Sequence, residues 1–95
     1  MVRIRRIVSA VPVTHGVLKL VWDDGFEGIV DLRPVIAKGR VFKYLQTPKH
    51  FAALRIGEYG HSIYWTNKKG EQIDFGSDGL RATAEKQAAL HSLAS

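Results

Sequence analysis

The stretch that most constrains this chain runs from Val17 to Leu32, two runs of β-favouring residues that meet at Asp24-Gly25. Both turn residues tolerate positive φ, which a two-residue type I′ turn requires, so the dipeptide predicts an antiparallel hairpin. With Asp24-Gly25 as the loop, Trp22 faces Glu27, Leu20 faces Ile29 and Val21 faces Gly28. A period of two places Leu18, Leu20 and Trp22 on one face of the second strand and Val17, Lys19 and Val21 on the other. The feature speaks to fold and carries no chemistry of its own.

Upstream, Ile4, Ile7, Val8, Val11 and Val13 predict a first strand over Arg3 to Val13, joined by Thr14-His15-Gly16. Three strands on short connections make a meander. The arginines at 3, 5 and 6 precede an apolar run that stops at Pro12, short of the roughly 7–15 residues a secretion signal needs. No stretch approaches the ~20 apolar residues of a membrane span.

Downstream, Pro34 ends the third strand because it cannot donate to a ladder, and Lys38-Gly39-Arg40 reads as a turn. Val41, Phe42 and Leu45 then recur at helical spacing. Thr47-Pro48 predicts a further helical turn with threonine as N-cap and proline at the first position, so that Phe51 and Leu54 face the sheet. Leu54 to Ile56 returns to strand and Glu58-Tyr59-Gly60 turns. Ser62–Thr66 and Gln72–Phe75 form a second hairpin around Asn67-Lys68-Lys69-Gly70, with Ile63 and Trp65 inward. Ser77 or Asp78 caps a C-terminal helix over about 78–92, whose apolar stripe of Leu80, Ala84, Ala88 and Leu90 is thin. The expected fold is a single α+β domain over residues 1–95. It holds an antiparallel sheet of about five or six strands, a short helical segment on one face and a C-terminal helix.

No residue pattern supplies a reaction. There is no cysteine, which removes disulfides and thiolate chemistry and suits a cytoplasmic location. His15, His50, His61 and His91 lack the spacing that sets two ligands on one helix face, and Asp23-Asp24 has no further calcium ligands behind it. Ser9, Ser62, Ser77, Ser92 and Ser95 sit in no nucleophile elbow. Gly57-Glu58-Tyr59-Gly60 and Gly76-Ser77-Asp78-Gly79 lack the lysine and the strand-to-helix context of a phosphate loop. The expectation is a non-enzyme with no catalytic residue, metal or cofactor.

Charge is the one uneven property. Of the 14 Lys and Arg and nine Asp and Glu, residues 1–57 hold ten cations against four acids, and residues 58–95 hold four against five. Between Asp31 and Glu58 lie Arg33, Lys38, Arg40, Lys43, Lys49 and Arg55 with no acid among them. Such a row attracts an acidic protein surface or nucleic acid, unless Arg33 and Arg55 pair with neighbours such as Asp31 and Glu58. Tyr59, Tyr64 and Trp65 near Lys68 and Lys69 add an aromatic and basic mixture that can bind a nucleic-acid strand, or can be a core tryptophan beside a solvated loop tip. The candidate binding residues are thus Lys38, Arg40, Lys43, Lys49, Arg55, Lys68 and Lys69.

Asp24-Gly25, Val30-Asp31-Leu32-Arg33-Pro34, Gly39-Arg40-Val41-Phe42 with Leu45, Thr47-Pro48 with Phe51, Ile63-Tyr64-Trp65 and Ile73-Asp74 together resemble the DUF2442 family of small bacterial proteins. The likeness runs from about Ile4 to Leu80 and rests on turns and core positions. It departs at Asn67-Lys68-Lys69-Gly70, where relatives carry Trp-Pro-Asn-Gly, and at Phe75-Gly76, where a proline is common. The resemblance implies an α+β fold and a protein encoded beside another small one, as in toxin and antitoxin pairs. The expected function is a non-catalytic protein-interaction or regulatory module, antitoxin-like, with a small protein partner. A homodimer and a nucleic-acid-binding domain using the basic 33–55 segment are the alternatives, and no membrane is involved.

Overall fold

The computed structural model describes residues 5–94, so Arg3 and Ile4, expected at the start of the first strand, and Ser95 lie outside the described residues. Strands β1 (Ile7–Thr14), β2 (Val17–Trp22) and β3 (Glu27–Asp31) form an antiparallel meander. Helix α1 (Arg33–Ile36), a 3-10 segment (Arg40–Gln46) and helix α2 (Pro48–Ala52) follow. Strands β4 (Arg55–Ile56), β5 (Ser62–Thr66) and β6 (Gln72–Gly76) make a second meander, and helix α3 (Ser77–Ala94) ends the chain.

The six strands do not share one sheet, as the sequence suggested; they form two sheets of three. The reason lies at the outer edge of β1. Its register slips between Ile7 and Ser9 and again between Pro12 and Thr14, and Pro12 offers no donor. At Ile7 that edge is occupied by the turn at Gly60, where an added Cβ would come within 2.5 Å of the Ile7 carbonyl oxygen. A turn, not a strand, covers β1 there.

The first hairpin forms, with its register one residue away from the expected one. Trp22 N–H donates to the Phe26 carbonyl (2.9 Å) and Gly25 N–H to the Trp22 carbonyl (3.0 Å), closing a three-residue loop, Asp23-Asp24-Gly25. Gly25 alone takes positive φ, 88°, while Asp24 keeps the ordinary sign and accepts the Phe26 N–H. This is a turn followed by a left-handed bulge residue, not type I′. The slip moves every β3 side chain to the other face. Leu20 therefore pairs with Gly28 and Leu18 with Val30, so that Val30 is buried and Ile29 is turned outward. The second hairpin repeats the device, with Asn67 N–H bonded to the Glu71 carbonyl and Gly70 at φ 81°.

One core joins both sheets. Leu18, Leu20, Trp22 and Val30 from the first meet Ile63, Trp65 and Ile73 from the second, with Leu45, Phe51 and Leu80 between them. Phe51 and Trp65 stack at 5.6 Å between ring centroids, and the Trp65 indole N–H donates to the Phe51 carbonyl at 2.8 Å. Pro34 does more than end a strand, since it lies in the first turn of α1. Thr47 holds the predicted N-cap position of α2, but its hydroxyl makes no capping bond. The C-terminal helix starts at Ser77, earlier than the sequence indicated, and the Ser77 side chain is engaged in the core instead of capping.

Candidate functional site

The seven candidate basic residues lie in the turn before the 3-10 segment, in that segment, on α2, on β4 and in the β5–β6 loop. Arg33, the first cation of the acid-free row, is paired: its Nε and Nη2 reach the two oxygens of Asp31 at 2.9 and 2.8 Å, a forked pair that holds the Asp31 carboxyl below its ordinary pKa. Arg55 does not pair with Glu58 among the described residues; it lines a small recess of about 240 Å³ with Tyr64 and Thr66. Lys38, Lys43 and Lys49 are exposed, and no described acid pairs with them.

Arg40, at the start of the 3-10 segment, and Lys68 and Lys69, at the tip of the β5–β6 hairpin, are brought to one groove of about 430 Å³. Tyr44, Asn67 and Glu71 complete its walls. The 3-10 segment holds this wall in place through Tyr44, whose ring stacks on His50 at 3.9 Å and 5° while the His50 Nδ1–H donates to the Tyr44 carbonyl. On the opposite wall Asn67 Oδ1 accepts the N–H groups of Lys69 and Glu71, so the loop conformation is set locally and both lysine heads are left in solvent. None of the three cations forms an ion pair with a described acid, Glu71 included. Seven candidate positions thus resolve into one grouped set of three and four exposed residues outside that groove.

Sequence reasoning missed Arg81. Its residue is only 7% exposed, lying over the Phe26 ring at 4.0 Å and the Trp22 ring at 5.3 Å. It donates from Nη1 to Asp24 Oδ1 at 3.0 Å and from Nε to Glu85 Oε1 at 2.8 Å. The arginine beside Asp24, opposed in part by desolvation and joined by the Phe26 N–H and the Arg5 charge, holds that carboxyl down to about 2. Arg81 and Glu85 stand four apart on a helix, which is the only signal in the sequence; the rings beneath the guanidinium are brought there by the fold. Around this network lies a recess of about 700 Å³ lined by Arg5, Asp23, Asp24, Asp78, Arg81 and Glu85, in which the arginines bind the carboxylates of Asp24 and Glu85.

Two further polar candidates, Ser77 and His15, are held by hydrogen bonds within the fold. Ser77 is buried, accepts the Trp22 indole N–H at 3.0 Å and donates to the Arg5 carbonyl, so its hydroxyl is engaged as both acceptor and donor. His15 donates from Nε2 to the Leu45 carbonyl at 2.9 Å and meets Phe51 edge-on. The side chains of His91 and Ser92 lie outside the described ones. Among the described residues, no three His, Asp or Glu side chains are grouped to hold a metal ion, and no helix is long and apolar enough to cross a membrane.

Comparison of the chain with protein-family models, with curated proteins and with solved structures finds no match.

Proposed function

We propose that this chain is a non-catalytic protein-interaction module that docks an acidic partner surface through the groove of Arg40, Lys68 and Lys69, as the antitoxin-like member of a two-protein pair in the cytoplasm. The observation that carries the reading is the convergence of these three cations, from elements far apart in sequence, on one recess without a carboxylate partner. Unpaired charge at a groove rim speeds encounter with an opposite surface and fixes its orientation. The resemblance to the DUF2442 family supports the pairing with a neighbouring small protein.

Co-expression with the protein encoded next to it tests the reading. The two co-purify at low salt, and the triple variant Arg40→Glu, Lys68→Glu, Lys69→Glu separates them. Independent elution of the wild-type pair, or capture that ignores the triple variant, overturns it.

Nucleic acid is the second reading, favoured by the Tyr44 ring beside the same cations. Three phosphate contacts give a log–log salt slope of about −2 for a single strand. An oligonucleotide that binds with such a slope, and loses it in the triple variant, would replace the first reading with this one.

A further inference from the structure

The loop between β2 and β3 carries a chemical liability in the same two residues that make it turn. Gly25 holds φ at 88°, a left-handed backbone that favours glycine even though the space around it is open. Asp24 serves the fold through its carboxylate, which accepts the Phe26 N–H at 3.2 Å and binds Arg81. Together they spell Asp-Gly, the aspartyl pair whose following amide nitrogen is least shielded, because no Cβ stands beside it.

In such a pair the Gly25 nitrogen can attack Asp24 Cγ. A C–N bond forms, the amide proton and the hydroxyl of the neutral acid leave as water, and a cyclic imide closes. Water then opens the ring at either carbonyl. Opening at Cγ restores aspartate; opening at the main-chain carbonyl leaves isoaspartate, in which the chain runs through the former side chain and is one carbon longer. One water is lost and one regained, so no other reactant is needed.

In the folded chain the reacting groups are all engaged. Arg81 Nη1 and Nη2 reach Asp24 Oδ1 and Oδ2 at 3.0 and 2.9 Å, a fork that fixes the plane of the carboxylate. Gly25 N–H is committed to the Trp22 carbonyl at 3.0 Å. Arg81 is itself held, with its guanidinium over the Phe26 and Trp22 rings and its Nε bonded to Glu85 Oε1 at 2.8 Å. Bringing Cγ onto the Gly25 nitrogen therefore breaks the fork first. The same fork keeps the carboxyl ionised, which makes the neutral acid scarcer folded than unfolded. The other Asp-Gly pair, Asp78-Gly79, has no such clamp: it lies in the first turn of α3, and among the described residues the Asp78 carboxylate has no hydrogen-bond or ion-pair partner.

We infer that Asp24-Gly25 is a latent site of isoaspartate formation and that Arg81 is the residue that keeps it closed. With the guanidinium in place the hairpin stays unmodified; with it displaced, Asp24 converts. The extra backbone carbon then falls in the loop that sets the register of β3, and so strikes at the pairing of Leu18 with Val30. This gives the buried arginine a chemical task that owes nothing to the groove of Arg40, Lys68 and Lys69.

The test is to age the purified full chain for several weeks at mildly acid pH, with isoaspartate assigned to Asp24 or Asp78 by peptide mapping. At Asp24 it accumulates at least about tenfold more slowly in the native chain than in guanidinium chloride, a factor that one charge-assisted hydrogen bond can supply. Arg81→Met removes most of that protection. Arg81→Lys, which keeps the charge but loses the fork, also raises the rate at Asp24 in a chain whose circular dichroism spectrum is unchanged. Ile73→Ala, a core truncation in the second sheet, lowers stability without touching the loop and leaves Asp24 near its native rate. Equal rates at Asp24 in the native and denatured chain overturn the proposal. So does a folded Arg81→Lys chain that ages like the native one, or an Ile73→Ala chain that converts Asp24 as fast as Arg81→Met does.

Discussion

At the scale of single residues, the contacts that matter most are polar groups committed to the fold. Asp24 ionises more readily folded than unfolded because Arg81 binds its charged form. A depressed carboxyl contributes stability that is fully present above its unfolded pKa near 3.8 and is lost as pH falls through about 2. Urea midpoints measured from pH 5 down to pH 2 should therefore fall, and Asp24→Asn should flatten that part of the curve while lowering the midpoint at neutral pH. Ser77 makes a second test. Ser77→Ala leaves the Trp22 indole N–H and the Arg5 carbonyl without their partner, which costs about 1–3 kcal/mol by denaturant titration. Neither role was legible in the sequence, where Ser77 reads as a helix cap and Arg81 stands out only by having Glu85 four residues on. Each depends on Trp22 lying against the start of α3, a contact between residues 55 positions apart in the case of Ser77.

At the scale of elements, the first hairpin separates what local chemistry specifies from what packing specifies. Asp24-Gly25 does mark the turn, and the alternation of β2 does assign Leu18, Leu20 and Trp22 to the core. The loop length was not legible, because an Asp-Gly pair serves a two-residue loop and a three-residue loop equally well. The choice is made by β3, whose Val30 and Gly28 can face α3 only in the slipped register. Two glycine substitutions distinguish these effects. At Gly25 a side chain meets open space but a left-handed backbone, so Gly25→Ala should cost about 1 kcal/mol. At Gly28 a Cβ would lie 2.7 Å from the Ala84 Cβ, so Gly28→Val should cost about 1–3 kcal/mol and loosen α3, visible as faster amide exchange along that helix. The αL conformation of Tyr59, φ 60° and 66% exposed, is a further element-level feature that no residue type near it predicts.

At the scale of the whole molecule, two small sheets share one core, and Trp22 of the first and Trp65 of the second lie in the same buried cluster. With β4 only two residues long, the second sheet is little more than the β5–β6 hairpin, which is marginal by itself. Unfolding should therefore be a single transition: fluorescence of the Trp22→Phe and Trp65→Phe variants should each coincide with its own far-ultraviolet circular dichroism curve in urea. Separate midpoints within one variant would mean that the sheets melt independently. What the sequence alone determined was local: the strand alternation, the turn glycines, the inward Ile63 and Trp65, and the acid-free row of cations. Each follows from a residue and its near neighbours. The tertiary structure decided the split into two sheets, the register of β3, the burial of Arg81 and which three of the seven candidate cations share a groove. Those outcomes depend on distances between residues remote in the chain, which period and propensity do not encode.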